Sequence, residues 1–223
     1  MNNILISKEI NTIFFDAGNV LFSRKLSNKG YRKKLEDYLK SKGYNNKNIE
    51  LALKNAKKFS KKHLLLNTLT TLEEEKIYKY KYLKVLAQSL SEEDDELIDD
   101  IMNNIFDLNI YKLYDEVIYV LDECKKRNYK LGVISNAKPS ILLVFDNLDI
   151  RKYFDVIIIS SIVREEKPYE EIYLKALKEI NSKAEECLFI DDSKRNVEGA
   201  IRCGMKAVRL DRKKQDLKTL LQI

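Results

Sequence analysis

This sequence predicts an α/β fold: an open parallel sheet interrupted by an all-helical insertion. Three observations predict it. Short, nearly continuous apolar runs recur at residues 12–16 (TIFFD), 130–135 (KLGVIS), 155–160 (DVIIIS), 187–191 (CLFID) and 206–210 (KAVRL). Helical patterns at about 112–127, 139–148, 169–181 and 194–203 alternate with them. Residues 23–111 hold no convincing strand and read as helix. Apolar runs without polar alternation suit parallel strands covered on both faces, and the alternation with helices implies right-handed βαβ units.

Taken in order, the first run delivers a carboxylate, Asp16, to a turn built on Gly18 and Asn19. A buried strand ending in Asp puts that group on the rim of a sheet, where open α/β folds bind ligands. The insertion divides into helices at roughly 29–42, 46–63, 72–90 and 92–107. Gly43 fits the stop of the first. Thr71 with Glu74, and Ser91 with Asp94, read as N-caps with an acidic residue in the first turn. Tyr80 and Leu83 join Ile77, Leu86 and Leu90 in an apolar stripe that predicts core packing. Two domains follow: residues 1–22 and 112–223 form the α/β core, and 23–111 form a helical unit set into it.

Composition narrows the function. With 34% charged and 44% hydrophobic residues in 223, the chain reads as a soluble globular protein without a membrane span. The N-terminus, MNNILISKEI, lacks the pattern of a signal peptide. Cys124, Cys187 and Cys203 are odd in number and widely spaced, which points to reduced thiols and a cytoplasmic setting. One histidine, His63, leaves almost no material for a His-based zinc site or a Ser-His-Asp triad. Between Ser23 and Lys84 there are 18 Lys/Arg against 6 Asp/Glu, and between Val85 and Tyr111 there are 8 Asp/Glu and no Lys/Arg. The lysines from Lys54 to Lys62 recur at helical spacing around Leu53, Ala56 and Phe59. Solvated helix faces explain them, and no nucleic-acid module accompanies them. Neither nucleic acid nor a membrane is an expected partner; a monomer and a homodimer fit equally.

Four segments at strand ends carry the plausible chemistry: Asp16-Ala-Gly18-Asn19; Val133-Ile-Ser135-Asn136; Lys167-Pro168 in REEKPYEEIY; and Phe189-Ile-Asp191-Asp192-Ser193, followed by Arg195, Asn196 and Gly199-Ala200. In this order and spacing, the segments FFDAGNVLF, VISN, KPYEEIY and FIDDSKRNVEGA resemble the haloacid dehalogenase superfamily, in the branch with a helical-bundle cap. The likeness spans nearly the whole chain. It implies a Rossmann-like core with the insertion as its cap domain.

The resemblance implies a Mg²⁺-dependent phosphatase acting on a small phosphorylated metabolite, such as a sugar phosphate. Asp16 would be the nucleophile that forms an aspartyl-phosphate. Asp16, the Gly18 carbonyl, Asp192 and Asp191 would hold Mg²⁺, with either member of the Asp pair as the direct ligand. The Ser135 hydroxyl and the Asn136 N–H would bind phosphoryl oxygens, and Lys167 would neutralise phosphate and nucleophile together. Asn196 would orient its loop. Cap contacts to substrate are open among Arg24, Lys25, His63, Tyr78, Tyr80 and Tyr82, with gating expected after Phe22 and around Tyr111.

The family's usual general acid–base Asp, two residues after the nucleophile, is replaced here by Gly18. Such a group contributes about 10² to 10⁴-fold. The expected substrates are therefore those whose leaving group needs little protonation: sugar 1-phosphates, acyl phosphates or aryl phosphates. Two alternatives stand beside this reading. One is a 2-haloacid dehalogenase, in which Asp16 attacks carbon without a metal. The other is a catalytically weak binding or regulatory protein.

Overall fold

The computed structural model describes residues 9–25, 28–63, 69–90, 95–105 and 108–223. The chain runs β1 (Thr12–Phe15), β2 (Phe22–Arg24), then helices α1 (Asn28–Ser41), α2 (Asn46–His63), α3 (Leu72–Ser89) and α4 (Asp95–Ile105). It continues through β3 (Tyr111–Leu113), α5 (Val117–Lys126), β4 (Lys130–Ser135), α6 (Ile141–Asn147), β5 (Val156–Ile159), α7 (Ser160–Val163) and α8 (Glu170–Ile180). It ends with β6 (Cys187–Asp191), α9 (Lys194–Arg202), β7 (Lys206–Arg209) and α10 (Leu217–Leu221).

Five strands form one parallel sheet in the order β5-β4-β1-β6-β7. From β1 the chain builds outward through β4 and β5, then returns to the other side of β1 for β6 and β7. The order thus reverses at β1, and the crevice beyond the strand ends there is where such sheets bind ligands. The central strands explain the apolar runs, because both of their faces are covered. Ile13 and Phe15 pack with Val133, Leu188 and Ile190 against Val120, Leu121 and Leu217. Phe14 points the other way, with Ile134 and Phe189, onto Ile172, Tyr173 and Ala176. The period of two is present inside each run, but both sides are core.

Helices α1 to α4 have an apolar cluster of their own around Leu39, Ile49, Ala56, Leu83, Leu86 and Ile98. Among the described residues, none from 28–105 belongs to either cluster of the sheet. Lys54, Lys57 and Lys58 are exposed while Leu53 and Ala56 are buried, so the lysine-rich stretch is a solvated face of an amphipathic helix. The Thr71 cap forms as a reciprocal box: Thr71 Oγ1 accepts from the Glu74 N–H at 3.1 Å, and Glu74 Oε2 accepts from the Thr71 N–H at 3.1 Å. Gly43 follows α1 at φ +95°, a conformation in which L side chains are rare.

The structure corrects expectations at the ends of the insertion and in α3. Residues 22–24 and 111–113 pair as an antiparallel ribbon, Phe22↔Leu113 to Arg24↔Tyr111, so the helix expected from 112 starts at Val117. Three-residue strands have too little periodicity to be seen, and their partners lie far apart in sequence. The apolar stripe of α3 begins at Leu83, since Ile77 and Tyr80 are 47% and 38% exposed. The Tyr80 hydroxyl instead donates to Asp95 at 2.7 Å. The Ser91–Asp94 cap, the side chain of His63 and residues 1–8 of the N-terminal segment lie outside the described residues. No helix among those described is long and apolar enough to cross a membrane.

Candidate active site

The site is assembled at the C-terminal ends of β1, β4 and β6. Asp16 follows β1 directly, and its N–H donates to the Ile190 carbonyl at 2.8 Å, extending the pairing with β6 by one residue. Asp191 closes β6. Ser135 closes β4 and is buried. Lys167 arrives from the segment before α8, through a cis peptide bond to Pro168.

Lys167 Nζ sits at the centre of the cluster. It donates to Asp16 Oδ1 at 2.6 Å, to Asp191 Oδ2 at 2.7 Å and to the Ile134 carbonyl at 2.7 Å. These three acceptors use all the donors an ammonium has. Its side chain is 1% exposed, against 0% for Asp191 and 12% for Asp16. Asp16 is thus the carboxylate of this buried trio that reaches the surface. Burial pushes the Asp16 carboxyl above its ordinary range, against the pull of Lys167, and Asp191 adds to the push. Burial also opposes the Lys167 charge, but the carboxylates of Asp16 and Asp191 outweigh it and hold the ammonium above the usual lysine value.

Two asparagines fix the ion pair from behind. Asn136 Oδ1 accepts from the Lys167 N–H at 2.8 Å while Asn136 Nδ2 donates to the Lys167 carbonyl at 2.9 Å. Asn196 Nδ2 lies 3.1 Å from each Asp191 carboxylate oxygen, and the Ser193 N–H donates to Oδ1 at 2.8 Å. The Tyr173 hydroxyl holds the Asn196 carbonyl at 2.7 Å. Gly199 lets α9 lie against this assembly. A Cβ there would stand 2.6 Å from the Pro168 carbonyl oxygen, a distance real Cβ atoms essentially never show.

One oxygen each from Asp16, Asp191 and Asp192 can be chosen so that all lie within 4.8 Å of one another. Three carboxylates around one ammonium leave an excess of negative charge on hard oxygens, a donor set that suits Mg²⁺. The two members of the aspartate pair differ. Asp191 is saturated by Lys167, Asn196 and Ser193, whereas Asp192 Oδ2 receives Asn19 Nδ2 at 3.0 Å.

Gly18 lies beside Asp16 in the turn, half-exposed, and bridges to Phe22. The left-handed residue of the turn is Asn19, at φ 59°. A Cβ on Gly18 would meet nothing within 4 Å, so the turn does not require glycine there. This corrects the expectation that Gly18 makes the turn. Sequence reasoning also missed Arg212, which ties the turn to the second end of the insertion. Its guanidinium donates to the Val20 carbonyl, to the Asn19 carbonyl at 3.4 Å and to Glu116. It also lies 3.7 Å from the centre of the Tyr114 ring. One arginine among many carries no sequence signal for this.

The family model for haloacid dehalogenase-like hydrolases matches residues 10–204. The chain belongs to that family. Phosphoglycolate phosphatase of Aquifex aeolicus is 31% identical over 96 residues, covering 43% of this chain and 45% of that protein. Pyrophosphatase PpaX of Bacillus cereus is 26% identical over 130 residues, covering 54% of this chain and 59% of the relative. The matched stretches thus span about half the length of these relatives. Among solved structures, a 2-haloacid dehalogenase from Pseudomonas syringae superposes with a TM-score of 0.66 at 18% identity, covering 92% of this chain and 88% of that one. A phosphatase of the same family from Thermococcus onnurineus gives 0.55 at 17% identity, with the same coverage. At such identities the structural likeness speaks for the fold alone.

Proposed function

We propose that this hydrolase is a Mg²⁺-dependent phosphomonoesterase acting on a small phosphorylated metabolite. The observation that carries the reading is the placement of Asp191 and Asp192 beside Asp16. Carboxylates gathered this closely repel one another and make chemical sense with a cation between them. Attack on the carbon of a haloacid needs no such charge. The relatives named as phosphatases agree with the choice.

In this reading Asp16 Oδ attacks phosphorus, the P–O bond to the leaving group breaks, and an aspartyl-phosphate forms. Water then attacks phosphorus, releasing phosphate and restoring the carboxylate. Lys167 keeps Asp16 ionised and aimed, because its three hydrogen bonds fix the ammonium against β4 and β6. The Ser135 hydroxyl and the Asn136 N–H hold phosphoryl oxygens. Asp16, the Gly18 carbonyl and Asp192 would hold Mg²⁺, with Asp191 behind them as the anchor of Lys167. The ion supplies charge neutralisation between nucleophile and phosphate.

With no side chain at Gly18, no carboxyl stands two residues after Asp16 to protonate the leaving oxygen. That favours sugar 1-phosphates, acyl phosphates or aryl phosphates over alkyl esters. Residues 23–111 act as the cap domain that closes over residues 1–22 and 112–223, excluding water. The free thiols Cys124, Cys187 and Cys203 suit a reducing cytoplasm.

A screen of sugar phosphates, nucleotides and acyl phosphates with Mg²⁺ tests this. Hydrolysis should vanish in Asp16→Asn and on chelation. Dehalogenase activity that survives chelation would overturn the reading.

A further inference from the structure

One buried carboxylate among the described residues stands apart from this site. Glu75 lies in the first turn of α3, far in sequence from every site residue, and is 2% exposed. A glutamate is almost never that buried unless its charge is met. Here it is met from the loop that follows β4. Glu75 Oε2 accepts from the Ser140 N–H at 2.7 Å and Oε1 accepts from the Ser140 hydroxyl at 2.8 Å. Lys79, one turn along α3, adds an ion pair at 3.0 Å. The Lys138 ammonium lies over the Tyr78 ring at 5.2 Å, a second tie between the same two segments.

Ser140 ends the loop that begins at Ser135 and Asn136. The helical layer and the sheet keep separate apolar clusters, so what crosses between them here is polar. A polar, localised contact is what two bodies need if they are to part and meet again, since no shared core must be broken. Each hydrogen bond to a charged acceptor is nonetheless strong enough to bias such an equilibrium.

We propose that Glu75 is a latch that holds the helical layer, through α3, against the Ser135–Ser140 loop, and so ties closure of that layer to the loop. Glu75 is a positioning residue: it touches the loop, not the substrate. When the layer lifts, Ser140 loses both acceptors and the loop carrying the phosphate-binding groups relaxes with it. The kinetic consequence rests on the phosphatase reading; the conformational one does not.

Hydrogen–deuterium exchange and small-angle scattering on the full chain test it. Glu75→Ala should raise exchange across residues 137–143 about tenfold or more, and enlarge the radius of gyration, with peptides over β1 and β6 unchanged. Ser140→Ala, which removes the hydroxyl alone, should shift both readouts the same way by less. Glu75→Gln should restore part of the protection, because an amide oxygen still accepts from the Ser140 N–H. With a phosphoester that the wild type hydrolyses, kcat/KM should fall about tenfold in Glu75→Ala and recover in part in Glu75→Gln. Exchange and scattering of Glu75→Ala that superpose on wild type would sink the proposal. Should that variant fail to fold, unchanged exchange in both Ser140→Ala and Glu75→Gln would do the same. A wild type inert toward every phosphoester refutes the phosphatase reading, and the exchange data still decide the latch.

Discussion

The side-chain amide of Asn136 grips the main chain of Lys167 at both its N–H and its carbonyl, at 2.8 and 2.9 Å. A residue expected to serve the substrate through its backbone thus also holds Lys167 through its side chain. Asn136 follows β4 and Lys167 precedes α8, and this clasp sets one segment against the other.

Asn136→Ala removes both bonds while leaving the Asn136 N–H in place. Phosphatase kcat should fall by about 10²-fold, because an ammonium displaced by an ångström no longer aims Asp16. The folded state should lose about 1–3 kcal/mol, read as a lower thermal midpoint. Unchanged kcat would show that Lys167 is held by its ion pairs alone.

The two aspartates should separate in a magnesium titration followed by thermal shift. Asp192→Asn should keep the metal-free midpoint near wild type and move the Mg²⁺ response to about tenfold higher concentration or beyond. Asp191→Asn should instead lower the metal-free midpoint, since breaking a buried ion pair costs about 3–5 kcal/mol. The reverse pattern would make Asp191 the direct ligand.

Gly18→Asp should fold normally, since its Cβ enters open space and the backbone there is not left-handed. It should raise turnover of alkyl phosphates, with a ceiling of about 10² to 10⁴-fold, and gain little on acyl or aryl phosphates. An equal gain on both classes would contradict the account of leaving-group preference.

Glu75 gives a pH signature. Burial opposes its charge, but Lys79 and the Ser140 donors outweigh burial and hold the carboxyl below its ordinary 4.5. A depressed folded value contributes stability that is present above the unfolded value and is lost as pH falls through the folded one. The charged groups facing it are Lys79 on its own helix and Lys138 from the loop. Wild type should therefore exceed Glu75→Gln in denaturant stability near neutrality, with the gap closing below about pH 4.5. A gap that persists at lower pH would count against a charged latch.

Much of this was legible in the residues. The strands 12–15, 130–135 and 187–191 are apolar runs because both faces are covered, and each ends where the chain turns polar at the sheet rim. That boundary puts Asp16, Ser135 and Asp191 at the strand ends, where the structure also has them. The capping box at Thr71 and the stop at Gly43 were equally readable, because caps are local chemistry. The ribbon of β2 and β3 was not, being short and held by partners distant in sequence. Ile77 and Tyr80 had the right spacing for a buried stripe, yet Glu75 is the buried residue of that turn. Spacing tells which residues share a face; it does not tell what the face meets.

The sequence by itself determined the kind of fold, the strand ends that would carry polar groups, and the set of residues available for chemistry. These follow from local periodicity and from the few residue types that turns, caps and phosphoryl sites accept. Only the tertiary structure decided how those residues divide the work. It saturated Asp191 with Lys167, Asn196 and Ser193 and left Asp192 less engaged. It made Asn136 the keeper of Lys167, showed that Gly18 is not required by its turn, and set Glu75 of a distant helix on Ser140. The pairings of Lys167 with Asp191, of Asn136 with Lys167 and of Glu75 with Ser140 join segments far apart in sequence, and no local pattern records which donor a folded chain will bring to which acceptor.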